Sequence, residues 1–283
     1  FYFKQNGTVS GRYGSDAQQL PKPLEEGEDA PIIMKYVNIV RAFLIAGKGR
    51  KVIDADYESL EPHCFASVTG DKKLQEIFAN GLDFYSYVAI QTEGLKGVSA
   101  DKKADNYLKK LDPVKRNKAK AYSLGVAYGM EAYALKMTLG VDQKTAEELI
   151  RGYLDGFPQL KEWRENSRLQ VKAHGFIKNY VGRVRHVPKV RKIYEKFQDR
   201  MLDWRFRKNL EAEYGRDQVL KVYRDYRNGL NFCLNFQLQS LAAAVVNRAA
   251  VKINRKAKEL NIDAIVQAQV HDQLIINVAE KDA

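Results

Sequence analysis

The spacing of apolar positions changes several times along the chain, and the changes divide it. Residues 1–30 show no period. "NGTVSGRYGSDAQQLPKP" is polar and rich in turn residues, which predicts loop or short strands. "KYVNIVRAFLIA" (35–46) is apolar and β-branched, a candidate strand region. "GRKVIDADY" (49–57) predicts a buried strand ending in acids. Helical spacing follows over about 59–69, with Pro62 in the first turn, where a helix accepts it. From 72 to 174 the pattern is mostly helical. Its clearest element is "DPVKRNKAKAYSLGVAYG", with Asp112 as N-cap, Pro113 at the first helical position and Gly129 just past the end. Two more helices follow, broken at Gly156–Pro158, and then 175–188 alternates as a hairpin does. Residues 189–229 are dense in charge, yet their apolar and aromatic residues recur at helical spacing. A long amphipathic helix is expected over 231–260. Two alternating runs that meet at His271–Asp272 predict a final hairpin.

Composition narrows the reading. The chain has 283 residues, 45% of them apolar, enough for one large domain or two or three small ones. No apolar run approaches the ~20 residues of a membrane span, and no signal peptide opens the chain, which begins on Phe1. That start suggests a fragment or a processed piece. Cys64 and Cys233 form no C-x-x-C pair and the four histidines are scattered, which argues against zinc and suggests a reducing compartment. The net charge of +12 suggests a polyanionic partner, nucleic acid before others.

Two acids then stand out. Asp56 follows a strand and Asp272 sits at a turn between strands, and a carboxylate at a sheet edge is costly unless something pairs with it. A shared divalent ion would supply the pairing, and two ions about 4 Å apart suit an in-line phosphoryl displacement. Arg116, Lys120, Leu124 and Tyr128 recur every four residues. Each step advances a helix by about 400°, so they form one slowly drifting stripe. Two cations followed by an apolar and an aromatic surface match the layout of a nucleoside triphosphate. An ordinary helix with a solvated basic end has the same spacing. Gly125, inside this helix, costs about 1 kcal/mol relative to Ala, and room for a base is one possible return.

These residues carry a resemblance. R-x3-K-x3-L-G-x2-Y-G resembles motif B of the family A DNA polymerases. "DADYESLE" resembles motif A, "QVHDQ" motif C, "TVSGRYGSDAQQLP" the stretch ahead of motif A, and "NFCLNFQLQSLAA" the helix before motif C. All five occur in the family order and cover nearly the whole chain.

The resemblance implies an α+β right-hand fold, with an antiparallel palm sheet and inserted helical fingers. Palm would occupy 1–61, with the base of the thumb, and 231–283. Fingers would occupy 62–230, including a charged helical insertion at about 189–229 that reads best as solvated. It implies template-directed DNA synthesis, a primer 3′-hydroxyl attacking a dNTP on primer–template DNA. Asp56, Asp272 and the Tyr57 carbonyl would hold two Mg²⁺ ions. Arg116 and Lys120 would grip the triphosphate, with Lys120 also assisting the leaving pyrophosphate. Leu124 would pack against the sugar, and Tyr128 would stack near the templating position. Glu61 would exclude a ribose 2′-hydroxyl. Arg12, Asn235, Gln239 and His271 would contact primer and template. No membrane role is implied; a cytoplasmic setting, in an infected bacterial host, and replication accessory proteins would fit.

Several positions depart from the family pattern. Leu124 replaces an aromatic residue, as in some viral and phage members, and slower or more selective incorporation is the expected consequence. Gln273 replaces the second acid of motif C. Tyr85 replaces a histidine after Asp83, and Asn231 stands where an arginine is usual. The upstream thumb and the last palm elements are missing from this stretch. A single-subunit RNA polymerase is the nearest rival, which Glu61 opposes. A non-catalytic DNA-binding remnant is another, which the joint presence of Asp56, Asp272, Arg116 and Lys120 opposes.

Overall fold

The structure, a computed structural model, describes residues 3–4, 8, 10–12, 14–15 and 45–283. The strand region expected over 35–46 lies almost entirely outside them. The chain divides into two compact units. One comprises 1–60 and 239–283, the other 61–238.

The first unit is built on strands. β1 (Phe3–Lys4) and β2 (Gly14–Ser15) form a short antiparallel pair. β3 (Arg50–Asp56), β6 (Ala264–Val270) and β7 (Gln273–Ala279) form an antiparallel sheet in the order β3-β7-β6. The central strand β7 buries Leu274, Ile276 and Val278 on one face, as a period of two requires. β3 was expected to be buried and is not, for Val52 and Ile53 are exposed. Among the described residues β3 is an edge strand, with a partner on one side only. Arg50 ties it to the hairpin by bonding both carboxylate oxygens of Asp263, at 2.8 and 3.1 Å.

The second unit is largely helical. In order come α1 (Leu60–Thr69), α2 (Lys72–Ala79), α3 (Phe84–Glu93), α4 (Leu108–Leu111), α5 (Pro113–Ala127), α6 (Ala132–Leu139), α7 (Gln143–Gly156) and α8 (Pro158–His174). A hairpin of β4 (Phe176–Lys178) and β5 (Val184–His186) precedes α9 (Pro188–Phe197) and α10 (Trp204–Tyr214). Side-chain caps set several starts: Asp71, Asp83, Asp112 and Asp142 each accept from a first-turn backbone N–H.

α11 departs from the expected 231–260. It runs unbroken from Arg216 to Glu259 and passes from the second unit into the first. By length and composition it could cross a membrane, but more than half of its most apolar stretch is buried within the protein. The charged segment 189–229 is also more than a solvated insertion. Val190, Met201 and Tyr226 are buried in one cluster with Val171, Ile177, Leu230, Cys233 and Phe236. Its charges face outward, and an apolar stripe holds it to the unit. Cys64 and Cys233 are both buried, and burial pushes Cys233 up to about 12.

Candidate active site

The expected site residues fall into two groups, one in each unit. In the first unit the antiparallel register sets Asp56 opposite Gln273, the residue after Asp272. The Tyr57 N–H donates to the Asp272 carbonyl at 3.4 Å. Asp56, Tyr57 and Asp272 therefore meet at one end of the sheet. His271 forms the turn with a φ of +56°, a left-handed conformation typical of tight hairpins. Two carboxylates and a backbone carbonyl are an all-oxygen donor set. That suits Mg²⁺, which completes its shell with water and substrate phosphate. No group of three His, Cys, Asp or Glu with metal-site geometry occurs among the described residues, so the protein offers a pair rather than a closed cage.

Asp54 is a residue the sequence reading missed. It lies two positions before Asp56, on the same face of β3, and the Gln273 amide donates to its two oxygens at 2.7 and 2.6 Å. This explains the amide at 273, since a carboxylate there would face the carboxylate of Asp54. The signal was an acid at an interval of two in "VIDAD". Arg12 belongs to a turn in which Thr8 Oγ1 donates to the Arg12 carbonyl at 2.9 Å and Gly11 has a φ of +81°. Gln239 is half-buried on α11, one turn beyond Asn235, whose buried Oδ1 has no partner.

In the second unit α5 follows the expected plan. Asp112 accepts from the Lys115 N–H at 3.0 Å, and Pro113 opens the helix. At the far end Met130 N–H bonds Gly125 O and Gly129 N–H bonds Val126 O, a Schellman closure with Gly129 at a φ of +97°. Ala119, Tyr122, Ser123, Val126 and Ala127 are buried, while Arg116, Lys120, Leu124 and Tyr128 lie along the more open face. The space beside Gly125 is taken by Met130, not left open for a base.

Along the stripe Arg116, Lys120 and Tyr128 each have a local holder. Arg116 binds Asp83 through Nε and Nη2, at 2.7 and 3.0 Å. Burial alone would raise the Asp83 carboxyl, but the bonds from Arg116 and Ser86 outweigh it and hold it below the usual carboxylate range. Burial likewise opposes charge on Arg116, and the bond to Asp83 reverses that and raises it. The ring of Tyr85 lies 5.3 Å from the Arg116 guanidinium and 5.7 Å from Lys120 Nζ, so one aromatic ring serves both cations. Tyr128 donates to Glu61 Oε2 at 2.7 Å and packs on Phe65. Asn231, which stands where an arginine is usual, accepts from Arg168 Nη2 at 2.8 Å and donates to the Gly129 carbonyl at 3.2 Å.

A family model described as DNA polymerase family A matches residues 2–283. The chain is 26% identical over 285 residues to DNA polymerase I of Caldicellulosiruptor bescii, covering 99% of this chain and 28% of that protein. It is 28% identical over 281 residues to the thermostable DNA polymerase I of Thermus filiformis, again 99% of this chain and 28% of the relative. The chain thus spans less than a third of the length of these curated relatives. In fold it resembles the POL domain of Pol1 from M. smegmatis, solved in complex with DNA primer-template and dNTP. The TM-score is 0.74 at 23% identity, over 98% of this chain and 41% of that one.

Proposed function

The chain belongs to DNA polymerase family A, and we propose that it carries the nucleotidyl-transfer centre of a template-directed DNA polymerase. The observation that carries this reading is the meeting of Asp56, Tyr57 and Asp272 at one sheet end. The unit of 1–60 and 239–283 is the palm and the unit of 61–238 the fingers.

Asp56, Asp272 and the Tyr57 carbonyl would hold Mg²⁺, and the chemistry it would supply is activation of the primer 3′-hydroxyl and neutralisation of charge on the transferring phosphate. Arg116 and Lys120 hold the triphosphate. With Nε and Nη2 committed to Asp83 and a further bond to Tyr107, Arg116 keeps its guanidinium orientation fixed for the triphosphate. Lys120, exposed beyond it, is placed to donate a proton to the leaving pyrophosphate. Leu124 meets the sugar with less surface than an aromatic residue. Glu61, fixed by the Tyr128 hydroxyl, occupies the space of a ribose 2′-hydroxyl. Arg12, Asn235, Gln239 and His271 contact primer and template, reading shape rather than sequence.

Primer extension with Mg²⁺, supplying dNTPs and rNTPs in parallel, tests the proposal. Template-directed dNTP addition that Asp56→Asn abolishes is expected, with rNTP addition appearing in Glu61→Ala. Faster addition of rNTPs than dNTPs by the parent would replace this reading with an RNA polymerase.

A further inference from the structure

A buried arginine pair takes no part in the mechanism above. On α8, Leu160, Trp163, Ser167 and Val171 are buried at the three-and-four spacing of an inward stripe, and Arg164 lies on that stripe, 8% exposed. Its Nε and Nη1 are buried without a hydrogen-bond partner, as is the Nε of Arg168 one turn on. A guanidinium has five donors, and leaving them bare in the interior is costly. Burial, and then the nearness of Arg168, pushes Arg164 down to about 10. Both arginines line a cavity of about 310 Å³, walled by Gly129 to Ala132 after α5 and by Ile150 and Arg151 of α7. Two carboxylates, Glu131 and Glu147, also line it. Both residues are exposed and engaged: Glu131 with Arg227 at 3.1 Å and Glu147 with Gln143 at 2.8 Å. Neither is bonded to the bare arginine nitrogens.

We propose that this cavity is a phosphate site, and that its occupant is one backbone phosphodiester of the template strand beside the templating base. The assignment rests on the polymerase reading. The planar fork of a guanidinium matches two phosphate oxygens. The incoming triphosphate is not the occupant, because Arg116 and Gly129 are thirteen residues apart, about 20 Å along a helix. The side chains of Asn231 and Arg168 pack directly against Gly129, in the space a Cβ would take. Arg168, tied through Asn231 to the Gly129 carbonyl, brings a cation to the position that lacks the usual arginine.

Fluorescence anisotropy of the 283-residue chain on a primer–template with a template overhang tests this. A neutral methylphosphonate replaces one template phosphate at a time. At one phosphate beside the templating base, the replacement is expected to weaken parent binding about tenfold, the loss of a charge-assisted contact. Arg164→Leu should weaken binding to unmodified DNA by the same factor and be indifferent to the replacement there, while responding like the parent elsewhere. Its melting temperature should equal or exceed the parent's, since an apolar side chain relieves the buried charge. Arg164→Lys should keep part of the affinity.

Parent-like binding by Arg164→Leu, or a lower melting temperature that marks the guanidinium as a packing element, overturns the site. So does a parent that binds no DNA. Inorganic phosphate that stabilises the parent but not Arg164→Leu, with no methylphosphonate effect, identifies a free-phosphate site and overturns the strand assignment. Primer extension separates the two claims. Extension without any methylphosphonate effect removes only the phosphate site. The effect without extension leaves the phosphate site standing and removes the claim that this chain catalyses extension by itself.

Discussion

At the scale of single residues, charge pairing sets what each side chain can do. Asp83 is buried and its folded pKa lies below the unfolded value of about 3.9. The Asp83–Arg116 pair therefore stabilises the fold above about pH 4 and loses that contribution as pH falls through the folded pKa. Asp83→Asn should cost about 3 kcal/mol at pH 7, because it leaves Arg116 without its counter-charge. In urea melts at neutral and acid pH, the gap to the parent should close on the acid side. A gap independent of pH would reduce Asp83 to its role as the N-cap of α3. Gln273 offers a second case. Gln273→Glu sets a carboxylate against Asp54, so it should lower the melting temperature at neutral pH, and adding Asp54→Asn should restore it. Additive losses in that double-mutant cycle would show that the two side chains do not interact.

At the scale of elements, α5 shows how local rules place chemistry. Its cap, its N1 proline and its glycine stop were all legible in "DPVKRNKAKAYSLGVAYG", because each depends on residues within one turn. Gly129→Ala should cost about 2 kcal/mol for the left-handed backbone alone, and more if Asn231 and Arg168 have to move. Thermal melting checks the magnitude. DNA affinity that stays at the parent value would show that the end of α5 takes no part in binding. Legibility was poorer for α11, whose first turns were assigned to a separate insertion. Nothing in "RDQVLKVYRDYRNGLNF" breaks a helix except Gly229, and burial of Val219, Tyr226 and Leu230 carries the helix through it. Position 229 is also crowded, with Val190 where a Cβ would go. A glycine that looks like a breaker is there for close packing.

At the scale of the whole molecule, charge governs affinity. With a net charge of +12, DNA binding should fall at least about a hundredfold between about 50 and 200 mM salt. Arg164→Leu should reduce the slope of log affinity against log salt by about one. Anisotropy titrations over that range measure both, and a flat salt response would exclude phosphate neutralisation as the main source of affinity.

The sequence by itself determined the local elements and the types of residue that carry chemistry. Helix caps, the two strand periods around His271–Asp272 and the four-residue stripe of α5 all follow from side chains close in sequence. Asp56 and Asp272 stood out as acids at strand ends that a shared ion would pair, and the family resemblance assigned them to one site although they lie 216 positions apart. Only the tertiary structure decided who meets whom across such distances. It gave Arg116 to Asp83, Gln273 to Asp54 and Arg168 to Asn231, and it left β3 exposed at an edge. Arg164 and Arg168 were not singled out in the sequence, because helical spacing does not say whether a partner will reach a charge. Hydrogen bonds and ion pairs are short-range, so their partners depend on the packing of remote segments, which residue spacing within one element does not encode.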